Sequence, residues 1–428
     1  MLPIEKMIKA ALALTTICVA TACGGARGQT GSVPSLGAGD ERAHVRLWAS
    51  VGNIALTNEV VTSFNASSEA MLVDVQYIPE SEYDGKIAVE LFSSSQSFDC
   101  FYLRRPSQVN RFAPLGLLAD LTPYISTSEL DLANYGATLD TTRLSDDSVY
   151  SLPQIRSAYL LFYNKAIFRK NGLEYPGPMT WGQYQRLALQ LTSGSGLNKT
   201  WGGYIGINIP LNLGASVAGE YLTDDGLSAT RDYIRLLGQM HQEGSHPNTH
   251  EMESLYNNYY ELFEKGNIAM MINGDWAISE ILRDTRVRYK NLDWDIAPLP
   301  VPERVDGGTT VGNCSYLGIS AKSENIENAF LFISYFCGKP GAAIMAKYAA
   351  YPAYYTSEAA KAYLTQAEVP GARYFFNSYI LNEEAPHPLY DELDAAFRQS
   401  VAGFLYGRND LNGAFEMYEK DRMAILAK

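Results

Sequence analysis

Apolar and polar residues alternate from His44 to Ala49, and Leu56, Val60, Val61 and Phe64 then recur at helical spacing, so the body opens strand then helix. The pattern repeats. Val73, Val75 and Tyr77 alternate with Asp74 and Gln76 as a half-buried strand, Ser81 to Ser93 reads as a helix, and Phe98 to Leu103 as another apolar strand. Such alternation implies a mostly parallel sheet covered on both faces, with ligands beyond the carboxyl ends of its strands. That rule places Trp48 to Asn53 and Leu103 to Arg105 near a potential site.

Leu152 to Tyr163 is a long apolar run, followed by a helix from about Lys165. Thr180 with Gln183 has the spacing of a capping box. Leu213 to Tyr221, Leu227 to His241 and Met252 to Phe263 look helical, and Ile268 to Ile272 is a short strand. The last hundred residues are mainly helical, and no internal repeat is evident.

The amino-terminal segment is of a different kind. Lys6 and Lys9 precede the apolar run Ala10 to Ala20, which is too short to span a bilayer permanently, so residues 1–22 read as a secretory signal. Ala20-Thr21-Ala22-Cys23 resembles a bacterial lipobox, with Ala20 where Leu is usual, which implies cleavage before Cys23 and lipid on its thiol. Residues 23–43, rich in Gly and Ser, read as a flexible tether. The expected location is extracytoplasmic, at the bacterial membrane.

Composition narrows the class. Forty-seven acidic against 34 basic side chains give a net charge of −13 over 428 residues, which argues against a nucleic-acid binder. Beyond Cys18 and Cys23 only Cys100, Cys314 and Cys337 remain; Cys337 lies on the apolar stripe Ile326, Phe330, Ile333 and reads as a buried thiol. Whether Cys100 and Cys314 pair is open at this stage.

Several ordered motifs then carry a resemblance: Leu152-Pro153 followed by Tyr163-Asn164-Lys165, Pro178-Met179-Thr180-Trp181, Phe263-Glu264-Lys265-Gly266-Asn267-Ile268-Ala269-Met270 with Gly274-Asp275-Trp276, and Ala297-Pro298-Leu299-Pro300. In their order and spacing they resemble the extracellular solute-binding proteins, carbohydrate-binding class, that serve ABC importers. The resemblance implies a two-lobe α/β fold of periplasmic-binding-protein type, mixed sheets flanked by helices, with solute trapped between lobes that close about a hinge. Mapped onto this chain, one lobe takes 44–153 and 298–318, and the other 154–297 and 319–428. Crossings are expected near Pro153 to Tyr159, Ala297 to Pro300 and Leu317 to Ala321.

A pyranose has an apolar face that stacks on an aromatic ring and a rim of hydroxyls that needs polar partners. Trp276 matches the family's stacking tryptophan, and Asp275 is the acceptor beside it. Trp48, Ser50, Asn53, Arg104 and Arg105 are expected from the facing lobe, Gln154 and Ser157 from the hinge strand, and Asn208, Tyr316 and Tyr351 from surrounding loops. The implied partners are a carbohydrate solute, taken up by a monomeric receptor, and the subunits of an ABC permease; no cofactor, metal or nucleic acid is expected, and no enzymatic turnover.

Three rivals stand beside this reading. A thiaminase-like enzyme would use a cysteine nucleophile, but Cys100 and Cys314 fall outside Pro153 to Tyr159. His241, His246 and His250 match no zinc spacing, and a solvated loop is expected there. A polyamine, a peptide or an anion remains open as the solute.

Overall fold

The computed structural model describes residues 42–93, 97–144, 147–206, 209–255, 259–285 and 288–428. Residues 1–22, most of the tether, Cys23 and Asn208 lie outside them. Glu41–Lys428 forms one compact unit, built on two mixed sheets.

Strand β1 (Ala43–Ser50) runs parallel to β2 (Met71–Ile78), with Ser50 opposite Ile78, and parallel to β3 (Cys100–Leu103). Helices α1 (Ile54–Ser67) and α2 (Glu80–Phe92) connect them. The α1 stripe read from the sequence, Leu56, Val60, Val61 and Phe64, is buried as its spacing requires. The expectation of a mostly parallel sheet holds this far. It then turns mixed, because β10 (Cys314–Ile319) inserts antiparallel between β3 and β4 (Ser151–Arg156). The order is β2-β1-β3-β10-β4.

The second sheet comprises β5 (Tyr159–Asn164), β6 (Trp201–Ile205), β7 (Ile268–Gly274) and β8 (Trp294–Ala297). Its order is β6-β7-β5-β8. A two-stranded ribbon pairs β9 (Thr309–Gly312) with β11 (Tyr379–Asn382). The capping box forms: Thr180 Oγ1 accepts from the Gln183 amide and Gln183 Oε1 from the Thr180 amide, which starts α3 (Trp181–Leu191). Helix α4 (Trp276–Thr285) follows β7 directly. Two helical expectations shrink. Leu213 to Tyr221 is helical only over Leu213–Ser216, and Met252 to Phe263 divides into Thr249–Leu255 and Tyr259–Lys265.

The run Leu152 to Tyr163 is two strands because the chain passes between sheets at Ser157 and Ala158. The second crossing is Asn313, between β9 and β10. The two crossings are bonded to each other: the Ser157 amide donates to the Asn313 carbonyl at 2.8 Å and the Asn313 amide to the Ser157 carbonyl at 3.2 Å. A third segment, Tyr351 to Ala353, runs along β4, where the Arg156 amide donates to Tyr351 and the Ala353 amide to Gln154.

This packing moves the expected lobe boundaries. Leu299 and Val301 share the second lobe's core with Tyr163 and Trp181, so 298–312 belongs there and the crossing lies at Asn313 rather than at Ala297 to Pro300. At Leu317 to Ala321 the chain stays in the first lobe, where the Ser320 amide bonds to Asp99. Helix α5 (Ile326–Cys337) packs on β10, β4, β1 and α1 of the first lobe, with Phe330, Phe332 and Ile333 buried. The return comes later; by Gly371, whose amide donates to Asp295 Oδ1 at 2.8 Å, the chain lies against β8. Long-range burial decided these assignments, and no local pattern carries it.

All three described cysteines are free and buried. Ile319 stands opposite Cys100 in the ladder and Cys314 lies five residues along β10, about 16 Å away at strand rise. A Cys100–Cys314 disulfide would need Cα atoms within about 7 Å. Cys337 is a buried thiol, as read. The histidine expectation fails at His246: its Nε2 accepts from the Ile205 amide and its Nδ1 meets the Pro247 carbonyl, and burial pushes its pKa down to about 3. It is a structural, neutral ring rather than part of a solvated loop. Among the described residues no group of His, Cys, Asp or Glu is arranged to hold a metal.

Beside the crossings, an ion-pair cluster joins the lobes. Arg105 extends Nη1 to Asp391 Oδ1 at 3.1 Å and lies 3.9 Å from Glu384 Oε2. Asp391 lies in the first turn of helix α6 (Tyr390–Leu405) of the second lobe. Glu384 is 2% exposed and also accepts from the Ser107 amide. Burial pushes its pKa up to about 8 against the opposing pull of Arg105. Glu264, buried with both carboxylate oxygens unpartnered, is pushed up to about 7 by burial and then by Asp284 and Glu261.

Stability should therefore fall on the alkaline side. An acid whose folded-state pKa exceeds its unfolded value near 4 keeps its proton in the folded chain while the unfolded chain loses it, so stability drops as pH rises from about 4 to about 8. Asp99 opposes at the acid end: burial would raise it, but hydrogen bonds from Arg46 and Ser323 outweigh burial and hold it low. The melting temperature should be on the order of 3 °C lower at pH 9 than at pH 6, and Glu384→Gln should flatten that difference. Arg105→Ala should cost about 1–2 kcal/mol by denaturant unfolding while leaving solute affinity nearly unchanged. Lost affinity at unchanged stability would instead put Arg105 among the ligand contacts.

Candidate functional site: a cleft at the strand crossings

The carboxyl ends of β1, β2, β3 and β4 lie on one edge of the first sheet, together with the amino end of antiparallel β10. In the second sheet the same logic collects the end of β7 and the start of β5. These edges meet at the crossings, and a cleft of about 640 Å³ opens there. That volume suits a small-molecule solute.

The first lobe supplies Gly52 and Asn53 from the β1 exit, Glu80 from the β2 exit and Arg104 from the β3 exit. Ile155, Ser157 and Tyr159 come from the crossing itself. Strand alternation separates these odd-numbered residues from their neighbours: Arg156 borders a smaller hollow, and Gln154 is buried. Asn313 and Ser315 lie beside them on the second crossing.

Asp275 follows the last residue of β7 and Trp276 opens α4. Trp276 is 39% exposed on the cleft lining, and its ring packs T-shaped on Tyr159 with centroids 5.7 Å apart. Gly274 makes this seat available, since a Cβ there would come within 2.0 Å of the indole. The helix then presents Ser279, Glu280 and Arg283 along the same wall, at the spacing of one helix face.

Two carboxyls on the cleft lining are out of water. Burial pushes Asp275 up to about 7, although the amides of Tyr351, Ala158 and Trp276 pull the other way; its Oδ1 has no hydrogen-bond partner. Burial also raises Glu383, against the pull of Tyr159 and Arg105, and its Oε1 accepts from Asn313 Nδ2 at 2.8 Å. At about 7 the Asp275 carboxyl can both donate and accept near neutral pH, which suits hydroxyl groups.

Of the residues expected from sequence, Asn53, Arg104, Ser157, Asp275 and Trp276 line the cleft. The others do not. Trp48 is 8% exposed and packs on Phe98, so it is core. Ser50 stands just behind the lining and donates Oγ to Glu80 at 2.6 Å. Arg105 points to the interlobe ion pair, and Gln154 is tied to the Tyr102 hydroxyl and Ser315. Tyr316 is fully buried with its hydroxyl 2.6 Å from Thr141, and Tyr351 packs on Phe376 and Tyr363. Asn208 lies outside the described residues.

Sequence reasoning missed Glu80, Tyr159, Glu280, Arg283, Asn313 and Glu383. The strand-end rule applied to β2 would have found Glu80, and helical spacing from Trp276 would have found Glu280 and Arg283. Asn313 and Glu383 carry no local signal. Cys314 also reaches the lining, but burial pushes its thiol up to about 12 and its sulfur contacts the Ser315 carbonyl. That setting disfavours a thiolate nucleophile.

Known proteins place this architecture. The sequence profile described as bacterial extracellular solute-binding protein matches residues 73–343, more than half of the chain. A multiple sugar-binding protein of Streptococcus mutans is 27% identical over 214 residues, 44% of this chain and 47% of that relative, so the chain spans about half its length. A sugar transporter from Rhizobium etli in an open conformation superimposes with a TM-score of 0.77 at 22% identity, covering 89% of this chain and 99% of that one. A Listeria monocytogenes ABC substrate-binding protein in complex with cycloalternan gives 0.76 at 20% identity, covering 90% and 99%. The structural likenesses establish the two-lobe fold, and the profile match establishes the family: this chain belongs to the bacterial extracellular solute-binding proteins.

Proposed function

We propose that this chain is a monomeric sugar receptor, held at the outer face of the bacterial membrane by lipid on Cys23, that captures an oligosaccharide or glycoside and delivers it unchanged to an ABC permease. The observation that carries the reading is Trp276, an indole held open to the cleft by Gly274 and Tyr159 with acceptors around it. An aromatic platform beside polar groups matches the two faces of a pyranose. The relative named for multiple sugars and the neighbour crystallised with cycloalternan support the same solute class.

Asn53, Arg104, Ser157, Asp275 and Trp276 are the proposed contacts, joined by Glu80, Glu280, Asn313 and Glu383. Binding without chemical change accords with the raised Cys314 thiol. Lobe closure about the Ser157 and Asn313 crossings would couple occupancy to recognition by the permease. The lipobox-like Ala20-Thr21-Ala22-Cys23 and the Gly- and Ser-rich stretch after it support anchoring.

Calorimetry of the compact unit against malto-, cello-, xylo- and manno-oligosaccharides, amino acids and polyamines tests this directly. One or more of the sugars should bind, and Trp276→Ala should weaken that sugar by about 30-fold or more, the scale of a central aromatic contact. Binding confined to a polyamine or an amino acid, and indifferent to Trp276→Ala, would retain the fold and discard the sugar.

A further inference from the structure

Both guanidinium groups among the described residues of the cleft lining are already engaged by the protein's own acids. Arg104 places Nη2 2.6 Å from Glu80 Oε2 and Nε 3.4 Å from Asp84 Oδ1, and Nη2 also donates to the Glu80 carbonyl. Its fork lies over the Tyr83 ring at 5.2 Å. Arg283 donates Nη1 to Glu280 Oε1 at 3.1 Å and Nη2 to Glu280 Oε2, a two-point pairing, with Asp284 near its Nε.

Glu80 does more than neutralise. Its Oε1 accepts from Ser50 Oγ at 2.6 Å and from the Gly52 amide at 3.0 Å. The approach is close: a Cβ on residue 52 would stand 2.5 Å from Oε1, so a larger residue would push the carboxylate aside. One carboxylate thus joins the exits of β1, β2 and β3 and fixes Arg104 in place. Arginine is the side chain best fitted to grip a carboxylate, phosphate or sulfate by two parallel bonds. Here that fork is taken. An acidic solute would also face the carboxylates of Glu80 and Glu280 on the same lining.

We infer that the cleft admits glycosides free of carboxylate, phosphate and sulfate groups, and that Glu80 is the specificity-determining residue that enforces this by holding Arg104. The inference rests on the sugar-receptor reading and adds the charge class of the solute. Arg104 then remains a contact for solute hydroxyls, while its fork for anions is held by Glu80.

The test uses the tightest neutral oligosaccharide from the calorimetric panel and the same sugar with a primary hydroxyl oxidised to a carboxylate, alongside trigalacturonate. Wild type should prefer the neutral form by roughly tenfold or more at low salt, about 50 mM, where screening is weak. Glu80→Gln combined with Asp84→Asn should narrow that ratio about tenfold or more by raising affinity for the acidic form, and added salt should erase the gain, as screening of a freed guanidinium requires. The carbonyl oxygen of the amide introduced by Glu80→Gln can still accept from Ser50 and Gly52, so the β1 exit should keep its form, and the melting temperature monitors this. Equal or tighter wild-type binding of the acidic form would overturn the inference and leave the sugar reading intact. So would a folded double variant whose ratio is unchanged, or narrows only because the neutral sugar binds less well. Binding of no sugar, neutral or acidic, would remove the sugar reading and this inference with it.

Discussion

Two backbone hydrogen bonds between Ser157 and Asn313 hold together the segments on which the rest of the molecule turns. On one side β4 and β10 are locked into the first sheet, and on the other β5 and β9 pack within the second lobe. Ladder bonds and buried side chains make each sheet stiff, so torsional freedom between lobes concentrates in the few residues of the crossings. Because the bonds are made by main chain, they do not depend on which side chains stand there. Ser157 and Asn313 are consequently able to face the cleft as well as join the lobes.

The same crowding sets the electrostatics. Three acids beside the crossings, Asp275, Glu383 and Glu384, are held above the ordinary carboxylate range chiefly by burial. Two adjacent arginines divide between the faces of the structure. Arg105 has an extended backbone, which sends its side chain away from that of Arg104. One lines the cleft beside Glu80, and the other joins the lobes through Asp391. A basic pair expected from sequence to face the cleft is two separate ion-pair sites, with different consequences for solute choice and for stability.

Much of the fold was legible because its signals are local. The period of Leu56, Val60, Val61 and Phe64, the alternation around Val73 and the reciprocal cap at Thr180 each report on a few neighbouring residues, and each formed as read. The strand-end rule located Asn53 and Arg104 for the same reason. It overreached at Trp48, whose ring packs in the core against Phe98, because a position near a strand end does not say which face the side chain takes. Alternation resolved that question for Ser157 against Gln154 once the register of β4 was known.

What the sequence determined by itself, then, is most of the set of elements and the family motifs, Asp275 and Trp276 among them, since these depend on residues within a turn or two of each other. The tertiary structure alone decided which lobe takes 298–312 and 326–337, that Cys100 and Cys314 stand too far apart to pair, and that Asn313 and Glu383 complete the cleft. These depend on burial and hydrogen bonding between segments far apart in the chain, 70 residues in the case of Asn313 and Glu383. Contacts of that range leave no period or spacing in the chain that makes them.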